Sequence, residues 1–438
     1  MSDTLNARII VPYGRSLTAL AIAQSLGKRG ADIIGCDDVA MTVLSFSKYV
    51  SKHEIYTSPA KDEEQFIKDL VQIARDNKPD DDRPYLLMPA FNETKIISDH
   101  TDAFDGIITL ACPPIEAIEQ IHPKDNFAAT TNKYNVASPH TWLPDAIDDL
   151  DDVNDDDFPV FIKPPNDVGG RGISKIHNRG ELKQAYKVLE KNYPGQQIIV
   201  QQNSKGTDYC FCGLFDRGEY ITGMVYRNKQ KFPNESGPGV VRETIETEPF
   251  DMLATELMKP IKWHGVVEID FLWDGDKKSK PEMIEVNPRF WSGLDHSIRS
   301  NLDFPYLLYQ LIVDGRVSDI GDVNVGHKTS LPGMSNLARI ENLFSNAINF
   351  DALDEQWPTI KSNLKLNEYG AAYDVFSKAL SDSLPLAQSF QTFKTMTDEA
   401  KQAQKISPSD DDPFVGLGAL FILGSLLRHG TLPPEVKR

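Results

Sequence analysis

The chain has 438 residues, 40% of them apolar and 25% charged, and a formal net charge of −18. That length exceeds one ordinary hydrophobic core and predicts two or three packed lobes. The acidic balance, with no Lys/Arg-rich stripe, argues against a nucleic-acid partner, and no apolar run is long enough to predict a transmembrane segment.

Arg8–Pro12 reads as a strand, about Leu17 to Lys28 as a helix and Asp32–Cys36 as a second strand, the pattern of a βαβ unit. A helix near Glu63–Asn77, strands at Tyr85–Met88 and Gly106–Leu110, and a helix opening at Pro113-Pro114 extend it into an open parallel sheet. Gly14 follows the first strand, but PYGRSLTAL lacks the G-x-G-x-x-G spacing by which backbone amides approach a pyrophosphate. The acid runs Asp80–Asp82 and Asp148–Asp157 read as solvated loops. No basic region followed by a long apolar segment marks a signal peptide, and Cys36, Cys112, Cys210 and Cys212 lack C-x-x-C spacing, so free thiols in a reducing cytoplasm are expected.

From Phe158 the pattern becomes α+β. Strands are expected at Pro159–Lys163, Gly172–Ile176, around Gln197–Gln202, Tyr209–Phe215, Tyr220–Tyr226, Gly265–Trp273 and Pro281–Val286, with helices at Gly180–Tyr193 and near Asp251–Trp263. After about Gly315 the pattern weakens into a smaller, partly helical appendage. Its stretch Phe414–Leu427 is apolar all round and as a helix would cover only about 20 Å, so a buried or subunit-contact helix is favoured over membrane-surface contact.

Residues 265–291 carry the chemistry. Two strands joined by a charged turn place Glu268 and Asp270 on one face and Glu285 and Asn287 likewise, by the two-residue period of a strand. Carboxylates among Val, Ile, Phe and Trp are partly desolvated and call for a cation, and hard oxygen donors suit Mg²⁺, with Mn²⁺ as a substitute. Upstream, FPVFIKPPNDVGGRGISKI ends a strand on Lys163 and continues through Gly169, Gly170 and Gly172, a loop whose backbone amides can close over phosphates. Arg227, Lys229, Lys231 and Arg242 with a Gly237–Gly239 turn suit either a mobile basic loop over an anionic substrate or a solvated hairpin. Arg242 is the preferred substrate contact and Arg227 the second. His264 and His296 read as packing or hydrogen-bonded histidines.

The string IEVNPRFW resembles the metal-binding strand of the ATP-grasp superfamily. The resemblance implies that Glu285, Asn287 and Asp270 are metal ligands, with Glu268 as second choice, and that Arg289 steadies an acyl phosphate. Lys124, opening a helix in HPKDNFAATTNKYNVASPHTW, is similar to the superfamily's first nucleotide-contacting lysine. The segment IIVQQNSKGTDYCF resembles the adenine hinge, with Gln201, Gln202 and Asn203 at the base and Asp208 at the ribose. AQSLGKRGADIIGCD and FSKYVSKH resemble a preATP-grasp lobe of the carboxylate–amine ligase or carboligase group, which is similar to D-aspartate ligase and more distantly to D-alanine–D-alanine ligase and biotin carboxylase.

The expected fold is therefore α/β and α+β: a preATP-grasp parallel-sheet lobe over 1–120, an ATP-grasp domain over 121–315 (small lobe about 140–205, large lobe about 206–315) and a mainly helical appendage over 316–438. The implied activity is ATP- and Mg²⁺-dependent joining of a small-molecule carboxylate to an amine through an acyl phosphate, with Arg289 and Lys163 as catalytic groups and ADP and phosphate as products. A bicarbonate-dependent carboxylase and a non-catalytic ATP-binding protein are the alternatives. Dimerisation is expected from the resemblance alone.

Overall fold

A computed structural model describes residues 4–164, 173–204, 206–233, 237–276, 278–347, 351–366, 368–382, 386–407 and 410–418. By its internal contacts the chain divides into two compact units. One comprises Met1–Arg227, Thr244–Gly326 and Pro408–Arg438; the other comprises Asn228–Glu243 and His327–Ser407. This partition follows other lines than the three-part division drawn from sequence, because Asn228–Glu243 groups with the chain after His327.

The first unit opens with β1 (Arg8–Val11), β2 (Asp32–Asp37), β3 (Val50–Ile55), β4 (Tyr85–Leu87) and β5 (Thr109–Leu110), all parallel in the order β3-β2-β1-β4-β5. Ile9, Ile10 and Val11 are fully buried, as the continuous apolar run of an interior parallel strand requires. The helix Leu17–Lys28 starts where the Ser16 side chain accepts the Ala19 N–H, and the helix Glu63–Asp76 starts on Asp62 in the same way. Asp412 is fully buried and accepts hydrogen bonds from the Ser47 hydroxyl and the Lys48 N–H, tying the chain around residue 412 to this lobe.

Next come β6 (Thr141–Trp142), β7 (Val160–Lys163), β8 (Ser174–Ile176) and β9 (Ile199–Gln202), an antiparallel sheet in the order β6-β9-β7-β8. The helix Arg179–Asn192 packs Leu182, Tyr186 and Leu189 with Val160, Ile162 and Val200 in one apolar cluster. The acid run around Asp148–Asp157 is more ordered than a solvated loop. It forms two short 3₁₀ turns capped by Asp149 and Asp157, with Arg179 paired to Asp151 and Asp155.

The chain then forms β10 (Thr207–Asp216), β11 (Glu219–Lys231), β12 (Gly239–Ile245), β13 (Gly265–Trp273) and β14 (Glu282–Asn287). Within the first unit β14, β13, β10 and β11 are successive antiparallel neighbours. Gly206 turns the chain into β10 at φ +132°, where a Cβ would meet the Trp273 carbonyl carbon at 2.3 Å. One face of these strands buries Phe211, Val267, Ile269 and Phe271 under the helix Phe250–Met258.

The second unit holds β12 up to Glu243, β15 (Lys328–Ser330), β16 (Gln404–Lys405) and the helices Pro332–Ala347, Asp351–Lys365, Tyr369–Asp382 and Leu386–Gln402. Val240 packs with Ala338 and Met396, and Val241 with Ala400 and Ala403. The described residues of the basic stretch around 226–246 form a hairpin, strand to Lys231 and again from Gly239, but Val240, Val241 and Arg242 are buried in it and not solvated. Of the expected apolar helix 414–427, a 3₁₀ segment Pro413–Gly418 is present and 419–427 lie outside the described residues. No described helix is long and apolar enough to cross a membrane.

Candidate active site

The antiparallel register of β13 and β14 sets Asp270 opposite Glu285 and Glu268 opposite Asn287, so all four side chains share one face. The neighbouring β10 adds Cys210 opposite Asp270, and one ligand atom from each of Cys210, Glu268 and Asp270 lies within 4.8 Å of the others. The Cys210 thiol donates to Asp270 Oδ1 at 3.3 Å and Tyr226 Oη to Glu268 Oε1 at 3.3 Å. Burial and the like charges of Glu268 and Glu285 push the Asp270 carboxyl up to about 8, against the pull of Arg289. Three carboxylates thus share one face, close enough that Asp270 resists ionising beside the other two. Asp270, Glu285 and the Asn287 carboxamide, with Glu268 behind them, are a donor set that fits Mg²⁺ or Mn²⁺.

Cationic groups surround this face. Arg289 donates from Nη2 to Asn287 Oδ1 at 3.1 Å and from Nη1 to the Phe290 carbonyl at 3.0 Å, and lies 3.8 Å from Glu268. Lys124 is the first residue of the helix Lys124–Tyr134, and its Nζ is 3.7 Å from Glu285 Oε1. Lys163, at the end of β7, is buried and donates to Gln201 Oε1 on β9 at 2.8 Å, while Gln201 Nε2 donates to Thr141 Oγ1 at 3.0 Å. Burial first, and then the Lys124 charge, lower the Lys163 ammonium to about 8, with Glu285 opposing. A buried lysine held in place by an amide is poised to take up an anion.

One recess borders these groups and a second lies at the expected hinge residues. The first, ≈ 290 Å³, is lined by Phe91, Asn92, Lys95, His122, Lys124 and Arg289 among others. The second, ≈ 520 Å³, includes Ala137, Gln202, Asn203, Leu272, Trp273 and Glu282. Phe91, Asn92, Lys95 and His122 were not singled out from sequence, nor were Cys210 and Tyr226 as neighbours of the acids. Strand alternation groups Cys210 with Asp208 and Cys212, but only pairing with β13 brings it to Asp270.

The remaining expected residues divide. Asp208 pairs with Leu272 and shares the face of Cys210 and Asp270. The Gln202 N–H donates to the His140 carbonyl at 2.9 Å, and the Gln201 side chain accepts from Lys163. Arg227 pairs with Tyr209, whose own partner is Phe271, so it lies on the opposite face from Asp270. Arg242 is buried on β12 opposite Thr329, in the second unit. Gly169, Gly170 and Gly172 lie outside the described residues. His296 is buried against the Thr244 hydroxyl at 3.0 Å and the Tyr226 ring, and His264 Nδ1 sits 3.1 Å from Asp216 Oδ1.

No family model matches the sequence. Acetyl-CoA carboxylase 2 of Oryza sativa subsp. japonica is 22% identical over 211 residues, covering 46% of this chain and 9% of that protein. D-alanine–D-alanine ligase B of Clostridium tetani is 24% identical over 201 residues, covering 41% of this chain and 55% of that protein. The chain thus spans less than two thirds of the length of either relative. N5-carboxyaminoimidazole synthetase from Staphylococcus aureus, solved with ADP, superposes with a TM-score of 0.58 at 14% identity, over 78% of this chain and 86% of that one. The order of the lobes, the acidic strand pair and these likenesses agree: the chain has the ATP-grasp fold.

Proposed function

We propose that this protein is an ADP-forming ligase that activates a small-molecule carboxylate as an acyl phosphate and passes it to an amine. The observation that carries the reading is the convergence of Asp270, Glu285 and Asn287 on one strand face, with Lys124 3.7 Å from Glu285 and Arg289 on Asn287. The names of its relatives, a ligase, a synthetase and a carboxylase, support ATP-driven activation of a carboxyl group.

In this reading the first 120 residues form the preATP-grasp lobe and residues 121–315 the ATP-grasp domain. Asn203 and Asp208 border the adenosine end of ATP, and the Lys163 and Lys124 ammonium groups hold its phosphate oxygens, Gln201 keeping Lys163 in line. Asp270, Glu285 and Asn287 would hold Mg²⁺, which would supply neutralisation of the transferred phosphoryl charge. Arg289 presents its planar fork to the substrate carboxylate and holds that carboxylate in line with the terminal phosphorus. The same guanidinium stabilises the anionic oxygens of the acyl phosphate until the amine displaces phosphate. The recess at Lys95 and Arg289 is the proposed seat of the acid. Four free thiols fit a reducing, cytoplasmic setting.

The test supplies ATP, Mg²⁺ and hydroxylamine with a broad panel of carboxylic acids, and follows hydroxamate and ADP. Mg²⁺-dependent hydroxamate with at least one acid, lost in Glu285→Gln, supports the ligase. ADP release that needs only bicarbonate points to carboxylation, and no ADP with any acid removes the proposal.

A further inference from the structure

Arg289 is held by more than hydrogen bonds. Its Cζ lies 4.5 Å from the centroid of the Phe91 ring, and Phe91 stacks on Tyr13 with centroids 5.1 Å apart and planes 10° from parallel. The Arg15 Cζ in turn lies 5.5 Å from the Tyr13 ring, and the Arg15 guanidinium is anchored by the carboxylates of Asp37 and Asp38. Arginine, tyrosine, phenylalanine and arginine therefore form one series running from the end of β2 to the acidic face.

Both aromatic residues are fixed at the backbone. The buried Glu93 carboxylate accepts the N–H groups of Ala90, at 2.8 Å, and Phe91, at 3.0 Å. Tyr13 sits at φ +60°, in the left-handed region a side-chain-bearing residue seldom adopts, and its N–H donates to Tyr56 Oη at 3.2 Å. A strained residue persists where its surroundings over-determine it, and here they hold one ring against another.

We propose that Phe91, backed by Tyr13, is a positioning residue for Arg289. An aromatic face attracts a guanidinium and sets its plane without occupying any N–H donor. Phe91 thereby orients the fork in the lining of the ≈ 290 Å³ recess and leaves for the anion the N–H groups not given to Asn287 and Phe290. A carboxylate bond in place of the ring would occupy the donors the substrate needs.

This inference rests on the ligase reading, with the acid found in the hydroxylamine screen as probe. Phe91→Leu should lower kcat/KM for that acid about 5- to 20-fold while KM for ATP stays within about twofold. Phe91→Tyr should recover most of the loss. In an Arg289→Gln background, Phe91→Leu should add less than about twofold, because its effect passes through the arginine. Tyr13→Leu should give a smaller loss of the same kind. Equal losses from Phe91→Leu with and without Arg289, or none at all, would overturn the proposal.

A second readout needs no turnover. In protein labelled with ¹⁵N-arginine, the Nε–H signal that disappears in Arg289→Gln should be displaced upfield by the ring and return toward the ordinary range in Phe91→Leu. A signal that does not move refutes the bracket even if the protein shows no ligase activity. An inactive wild type with a shifted signal refutes the ligase reading alone.

Discussion

Asp270→Asn should make the metal-free protein more stable and its magnesium–nucleotide complex weaker. Ligand atoms of Glu268 and Asp270 lie within 4.8 Å of each other, so two ionised carboxylates there repel by about 3 kcal/mol at an effective dielectric of about 20. Arg289, 3.8 Å from Glu268, and proton uptake by Asp270 itself relieve part of this, leaving a net gain of about 1–2 kcal/mol for the amide. The melting temperature in EDTA should then rise by about 1–2 °C. The sign of the pH dependence follows from the raised carboxyl. Between its unfolded value of 3.8 and about 8 the folded chain keeps a proton that the unfolded chain has released. Wild-type stability therefore falls as pH climbs through that window, while the amide variant escapes the fall, and the difference shrinks toward pH 5. Thermal melts in EDTA and in excess Mg²⁺–ADP are the assay. At about 100 times its Kd the complex should stabilise wild type by about 2.7 kcal/mol, and Asp270→Asn should lose most of that increment. A variant that melts lower than wild type in EDTA yet keeps the full Mg²⁺–ADP increment would refute the idea that these acids are gathered for a cation.

Three further outcomes are expected. Because burial and Lys124 hold the free Lys163 near 8 and phosphates favour its charged form, ADP affinity should fall as pH rises above about 8, by up to about tenfold per unit; calorimetry in buffers of different ionisation enthalpy counts the proton taken up, and Lys163→Met should flatten the profile. In Gly293→Ala the new Cβ would meet Tyr226 Oη at 2.7 Å and push that hydroxyl off Glu268, costing about 1–3 kcal/mol in urea unfolding and weakening Mg²⁺-dependent nucleotide binding several-fold by titration. Asp412→Ala strips the carboxylate from the Ser47 hydroxyl and the Lys48 N–H, so chemical denaturation should show a loss of about 2–3 kcal/mol, with nucleotide affinity at 25 °C unchanged.

Much of the acidic face could be read before any coordinates. A two-residue period groups Glu268 with Asp270 and Glu285 with Asn287, and a hairpin turn between them makes the strands neighbours, so local rules sufficed. The strand ending at Lys163 and the helix opening at Lys124 were legible for the same reason. The stretch beyond Tyr226 was not. Glycine, proline and charge dominate it locally, while the burial of Val240 and Val241 that makes it a strand depends on partners from residues 338–403.

Side-chain assignments across strands distant in sequence were the least legible. Arg227 read as the second choice after Arg242 for a substrate contact, and one residue of parity turns it to the face of Tyr209 and Phe271. Gln201 looked like a hinge residue, and pairing of β7 with β9 made it the partner of Lys163.

By itself the sequence determined the alternating lobes, the acidic hairpin and the order of lysine, lysine and acids along the chain, because periodicity and turn chemistry act over a few residues. Only the tertiary structure decided that Cys210 and Tyr226 flank the carboxylates and that Phe91 lies against Arg289. Those contacts come from sheet order and lobe packing, which join residues far apart in the chain and leave no local trace in it.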